Sequence, residues 1–170
     1  MTGVQTGPIW GGYDVKKTYY NAGGTIIGES ASGVRTDYMT DGLGSVTGTL
    51  NQSGTVLDTY RYKPYGGILA QTGTSSNPSM QWVGSKGYRN TGNAHSEIYV
   101  RRRHVSTVEG RWTSVDPLWP LELAYVYANT GPATYSDPSG LSVAEARCAV
   151  LKQVCAIEAA QCGGTGFPKW

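Results

Sequence analysis

Asp116 and Asp137, each followed by proline and 21 positions apart, are residues whose types could do chemistry together. Two carboxyls brought close cannot both ionise freely, so one keeps a proton and can polarise a carbonyl while the other activates water. An arginine beside them would hold the ionised partner in place, and the run Arg101, Arg102, Arg103 could supply one. The same aspartates also fit a purely structural reading, as turn and cap residues at Asp-Pro corners. Spacing alone leaves both readings open.

The other reactive side chains point to less. In an extended strand Arg101 and Arg103 share one face and Arg102 and His104 the other, so half of this run is expected to be solvated surface. His104 has no serine or cysteine nucleophile in a recognisable elbow to serve. Cys148, Cys155 and Cys162 recur every seven residues. On a helix, seven residues rise about 10 Å, beyond the roughly 7 Å Cα limit of a disulfide, so these cysteines cannot bridge one another within it. They are either small packing residues of a docked helix or candidates for intermolecular contacts or disulfides. Their spacing is not that of a zinc site, and only His95 and His104 could join them; no metal and no cofactor is expected.

The elements that must position these residues are short. Between Tyr19 and Leu69 the chain cycles through β-prone runs, "TYYNAGGTIIGE", "TDYMTDGLGSVTGTL", "GTVLDTYRY" and "YGGIL". The dividers Ala22-Gly23-Gly24, Gly42 to Gly44, Gln52-Ser53-Gly54 and Gly66-Gly67 have hairpin-turn chemistry. Alternation in the third run puts Val56, Asp58, Tyr60 and Tyr62 on one face and Thr55, Leu57, Thr59 and Arg61 on the other, so neither face is purely apolar. Residues 73–80 form a Ser, Gly and Pro loop, and "SEIYVRRRHVS" reads as one strand followed by a turn at Glu109-Gly110. Pro117, Pro120, Pro132 and Pro138 predict irregular structure over residues 117–141, with at most a helical turn in "LELAYVYAN". From Ser142 the character changes: Ser142 and Glu145 have capping-box spacing, and a helix over about 143–162 ends at Gly163-Gly164.

Composition agrees with β structure. The chain has 170 residues, 24 glycines and 12 tyrosines against one phenylalanine, which suits half-buried strands whose hydroxyls reach partners. A formal net charge of +2 argues against a polyanion partner, so no nucleic acid is expected. No run approaches the roughly 20 apolar residues of a membrane span, and "MTGVQTGPIW" lacks the form of a secretory signal. A chain that opens within a repeat pattern is read as part of a longer precursor.

Two stretches carry a resemblance. "TDYMTDGLGSVTGTLNQSGTVLDTYRYKPYGGILAQTG" resembles the tyrosine-aspartate (YD) repeat unit, and "EIYVRRRHVSTVEGRWTSVDP" with "AYVYANTGPATYSDPSGL" resembles the core domain that follows RHS repeats. The likeness covers roughly residues 18–141. Members of that family, among them the C components of insecticidal Tc toxins, polymorphic RHS toxins and teneurins, wind hairpins into a spiral sheet that closes as a shell. The resemblance implies that the core is an aspartyl autoprotease: Arg103 matches the core arginine, Asp116 the first acid and Asp137 the second, with the cut beside Leu141. Two departures bear on this. Where the family has an aromatic pair and Asp-Pro after the core arginine, this chain reads "HVST". Only four or five hairpins precede the core, fewer than a shell needs, and residues 142–170 are too few for an independent toxin fold.

The expectation is therefore a mainly β chain. Residues 1–72 are read as YD-type hairpin repeats, 73–141 as an RHS-associated core, and 142–170 as a variable tail with one helix. Unpaired sheet edges favour a structural role: a bacterial surface or secreted protein that pairs with itself into a fibre, or with the remainder of a larger RHS protein. The alternatives are an autoproteolytic core fragment of a toxin-encapsulating shell, and a β module that binds carbohydrate or protein. As an enzyme the chain would be at most an intramolecular autoprotease.

Overall fold

The computed structural model describes residues 4–5, 17–94 and 97–141. Seven strands lie side by side in chain order: β1 (Val4–Gln5), β2 (Lys17–Ala22), β3 (Thr25–Ala31), β4 (Val34–Thr40), β5 (Val46–Asn51), β6 (Val56–Tyr62) and β7 (Ile68–Thr72). Every neighbouring pair is antiparallel, so this sheet is a meander of hairpins. A second, four-stranded sheet has the order β11 (Arg111–Trp112), β10 (Arg103–Ser106), β9 (Ile98–Val100), β8 (Arg89–Asn90). The chain is mainly β, as expected. The expected helix at 143–162, Cys148, Cys155, Cys162 and His95 lie outside the described residues.

The turns follow from residue type. Gly23 and Gly24 join β2 to β3 with φ of 56° and 82°, a left-handed pair that matches the twist of the flanking strands and that glycine adopts without a Cβ penalty. Asp41, in the turn before β5, accepts the N–H groups of Leu43, Gly44 and Ser45 on one oxygen. The register shifts by one residue in four of the hairpins, as at Arg61/Tyr62, and such irregularities bend and twist a sheet.

One face of the first sheet is buried although it is polar. On β6, Asp58 and Tyr60 are buried while Val56 and Arg61 are exposed, in line with the alternation of that run except at Val56. Asp58 accepts from Thr49 Oγ1 at 3.3 Å and from the Ser75 N–H at 3.1 Å. Glu29 pairs with Lys17 at 2.9 Å and accepts from Tyr38 Oη at 2.9 Å. Lys17 also reaches Ser79 Oγ, and Tyr60 Oη donates to Asn77. The Ser, Gly and Pro loop is thus a cover tied to the sheet, and buried polar groups are satisfied by it.

The apolar core sits with the second sheet. Trp82, Tyr88, Ile98, Val100, Val105, Trp112 and Tyr127 are all nearly inaccessible and form one cluster. Tyr127 is central: its ring centroid is 5.1 Å from Trp112 and 5.4 Å from Trp82. Aromatic pairs of this kind add about 0.5–1.5 kcal/mol each beyond the area they bury. Tyrosine serves here where phenylalanine could not, because the Tyr88 and Tyr127 hydroxyls bond each other at 2.9 Å inside the core.

From Pro117 to Leu141 the backbone is irregular, as the prolines predict. The expected helical turn in "LELAYVYAN" differs in kind. The one short helix there, Ala128–Thr130, has φ of 47°, 51° and 61° and so forms a left-handed turn. Three consecutive non-glycine residues there cost roughly 1–2 kcal/mol each, which the buried Tyr127 and Ala128 offset.

Candidate functional site

The arginine run is not one strand. Arg101 has φ of 48° and, with Arg102, forms the turn of a tight hairpin between β9 and β10, in which Arg103 pairs with Val100. The expected sharing of a face by Arg101 and Arg103 is therefore corrected: the turn exposes Arg101 and Arg102 and sends Arg103 inward, where it is 3% exposed. Strand periodicity cannot anticipate this, because a left-handed residue between two strands resets the alternation.

Arg103 gathers the other two predicted residues. Its Nη1 lies 2.5 Å from Asp116 Oδ2 and its Nη2 3.3 Å from Asp137 Oδ2, all three side chains being almost fully buried. The contact to Asp116 is an ion pair without hydrogen-bond alignment, since Nη1 makes no directed bond. Its Nε donates to the carbonyl oxygen of Gly140 at 2.6 Å. The guanidinium also stacks 3.9 Å from the Trp112 ring centroid, and Trp112 is held on the neighbouring β11 opposite Val105. Burial pulls the Arg103 pKa down while the two carboxylates push it back up, and the guanidinium remains the cation of the site.

Each aspartate also works as a turn residue. Asp116 Oδ1 accepts the Leu118 N–H at 2.8 Å, and the Asp116 N–H donates to the Ala124 carbonyl. Asp137 Oδ1 accepts from Ser139 N at 3.2 Å, Ser139 Oγ at 2.7 Å and Gly140 N at 3.0 Å. The Asp137 N–H donates to Tyr88 Oη at 2.8 Å, which wires the site to the aromatic core. The two readings that spacing left open are thus compatible: Oδ1 of each carboxylate caps its own corner and Oδ2 faces Arg103. Burial raises the Asp137 pKa, opposed by the Ser139 hydrogen bond and the Arg103 charge.

Gly140 is held against the β9–β10 hairpin. Its φ is +69°, and an added Cβ would lie 2.5 Å from the Val100 carbonyl oxygen. Only glycine lets the "SDPSGL" turn approach closely enough for its carbonyl to meet Arg103. A carbonyl that accepts from a buried guanidinium, beside carboxylates in a site closed to solvent, is polarised for attack by water; amide hydrolysis is the chemistry this arrangement can perform. A separate open cleft of about 400 Å³, lined by Tyr60, Tyr62, Lys63, Trp82 and Pro132 among others, contains none of these groups.

Sequence reasoning missed Trp112, Tyr88 and Glu122. Glu122 is the sole acid between Asp116 and Asp137 in the sequence, a signal that was present but carried no motif. His104, opposite Tyr99 on β10, has its ring centroid 5.2 Å from that of Tyr99, and burial lowers its pKa, helped by the charge of Arg89.

No family model matches the sequence, and no curated protein matches it. Solved structures do. The crystal structure of TcdB2-TccC3 aligns with 75% of this chain at a TM-score of 0.63 and 21% identity. The crystal structure of TcdB2-TccC3-Cdc42 aligns over the same share at 0.63 and 20%. The chain spans only 7% of the length of either neighbour. At this identity the likeness bears on the fold alone: the described β-sheets share a fold with part of those structures.

Proposed function

We propose that this chain is an RHS-type core that hydrolyses its own backbone beside Leu141, with Arg103, Asp116 and Asp137 as the working residues. The observation that carries the reading is the three-way hold of Arg103, on Asp116, on Asp137 and on the Gly140 carbonyl one residue before Leu141. Water adds to the Gly140 carbonyl carbon, the acyl side of the Gly140–Leu141 bond, and Asp116 accepts a water proton. Asp116 suits that role because Leu118 is the one fixed N–H donor on its carboxylate, whereas Asp137 Oδ1 is committed to three donors of its own turn. The guanidinium offsets the negative charge that develops on oxygen; the C–N bond then breaks, and the proton ends on the departing nitrogen. The substrate is part of the chain, so the reaction occurs once per molecule and needs no cofactor. The test is intact mass measurement of the wild type and Asp116→Asn. A fragment of residues 141–170 is expected from the former and none from the latter.

A second reading, assembly through sheet edges, is favoured by β7. This strand is one of the two outer strands of the seven-stranded sheet and is exposed along its whole length, with Ile68 40% and Leu69 55% accessible. An exposed edge with apolar residues offers unpaired N–H and C=O groups to another strand. The partner is a second copy of this chain, or further repeats of a larger RHS protein, in a secreted or cell-surface setting. The two readings are compatible, because the Arg103 site lies in the other sheet.

A further inference from the structure

The loop after β11 is ordered and carries an uncovered apolar surface. The Asp116 N–H donates to the Ala124 carbonyl at 2.7 Å and closes the loop at its base. Inside it, the Trp119 and Leu121 N–H groups donate to the carbonyls of Asp116 and Leu118. The backbone is held, yet Trp119 is 57% exposed and Leu121 and Leu123 64% each, and Val115 and Tyr125 flank them, also exposed. Single exposed apolar residues are ordinary on a protein surface. Five within residues 115–125, with Glu122 as the one charge between 117 and 125, mark a contact site.

The position of Leu141 says which contact. The Gly140 carbonyl accepts from Arg103 Nε at 2.6 Å, the Leu141 N–H donates to Ser139 Oγ at 3.1 Å, and Arg103 is paired with Asp116, where the loop begins. The chain beyond Leu141 therefore starts about one guanidinium away from the base of the apolar loop. The helix that the sequence predicts over about 143–162, outside the described residues, would run for roughly 30 Å, enough to cross a loop of this size. Helical periodicity puts Val143, Val150, Val154 and Ile157 on one side of it and the charged Glu145 and Lys152 opposite. A segment tethered beside its own docking surface is present there at an effective concentration on the order of millimolar, so modest apolar contact holds it where a separate molecule would dissociate.

We propose that residues 143–157 of the same chain cover the 115–125 loop, with the valine stripe against Trp119, Leu121 and Leu123. Of the two roles that the cysteine spacing left open, the segment then has the first: it is a docked helix of its own chain, not a link between chains. Only the starting point of the segment enters the argument, so the proposal does not rest on self-cleavage.

The test places the photo-cross-linker p-benzoylphenylalanine at Leu121 or Leu123 of the full chain, with Val34, exposed on β4, as the control position. Irradiation at low protein concentration is followed by protease digestion and mass spectrometry. Cross-links from 121 and 123 into residues 143–157, within one molecule, are expected at about fivefold or more the yield from 34. The readout is the same in cut and uncut chain, because a cross-link rejoins the pieces. Val150→Asp/Val154→Asp in the full chain is expected to lower the yield from 121 by a similar factor, while the near-ultraviolet circular dichroism of the Trp112 and Tyr127 core is unchanged. Equal yields from 34 and 121 overturn the proposal, as does an undiminished yield in the double variant. Products at twice the monomer mass overturn it in favour of contact between copies, and absence of any cross-link from the loop overturns it outright.

Discussion

At the residue scale, the site depends on one glycine and on where protons sit. Gly140→Ala places a methyl group 2.5 Å from the Val100 oxygen and forces alanine to φ of +69°, so either the turn or the hairpin must move. The backbone term alone costs about 1–2 kcal/mol. This variant is expected to melt several degrees lower and to lose self-cleavage, because Arg103 can no longer hold the Gly140 carbonyl; cleavage at the wild-type rate would mean that this hydrogen bond is unrelated to the reaction. The pH dependence has a defined sign. Asp137 and Glu122 both have pKa values raised above their ordinary 3.8 and 4.5 in the folded chain. The folded state therefore holds protons that the unfolded state has released, and the stability these groups contribute is present below their ordinary values and is lost as pH rises through the raised ones. Glu122→Gln removes one of the two, so between pH 4 and 7 its melting temperature is expected to drop less than that of the wild type. An equal or steeper drop in the variant would contradict a raised Glu122.

At the scale of elements, local turn chemistry was the most legible feature and long-range placement the least. The hairpins at Gly23-Gly24 and Gln52-Ser53-Gly54 are written in residues that adopt positive φ or bond their own backbone, and the strands between them follow. Asp116 and Asp137 could be singled out because Asp-Pro corners and the RHS resemblance both mark them. The splitting of the arginine run was not legible, since a left-handed Arg101 is a consequence of packing Arg103 against Trp112, not a preference of arginine. Edge character is equally a matter of context. The exposed strand β7 predicts that Leu69→Lys lowers self-association measured by sedimentation, with little change in melting temperature because Leu69 is already 55% accessible. Unchanged assembly size in that variant would count against pairing through this edge.

At the scale of the whole molecule, the two sheets divide the work. The first is a hairpin meander with a polar inner face covered by the 73–80 loop, and its outer strand β7 is exposed. The second carries the aromatic core and, on its β9–β10 turn, the arginine that collects two distant Asp-Pro corners and the carbonyl of Gly140. A buried ion cluster of this type is a weak source of stability, because desolvation consumes much of the attraction, yet removing one member costs about 3–5 kcal/mol by stranding the others. Such a cluster makes more sense as machinery than as glue. The fold shared with part of TcdB2-TccC3 is compatible with the proposed self-cleavage. The most direct measurement is a time course of intact mass on freshly synthesised full-length chain, alongside Asp116→Asn. Conversion of the 18.2 kDa species into two products, 1–140 and 141–170, in the wild type alone is the expected result. A wild type that is folded and stays at full-length mass throughout would contradict the account.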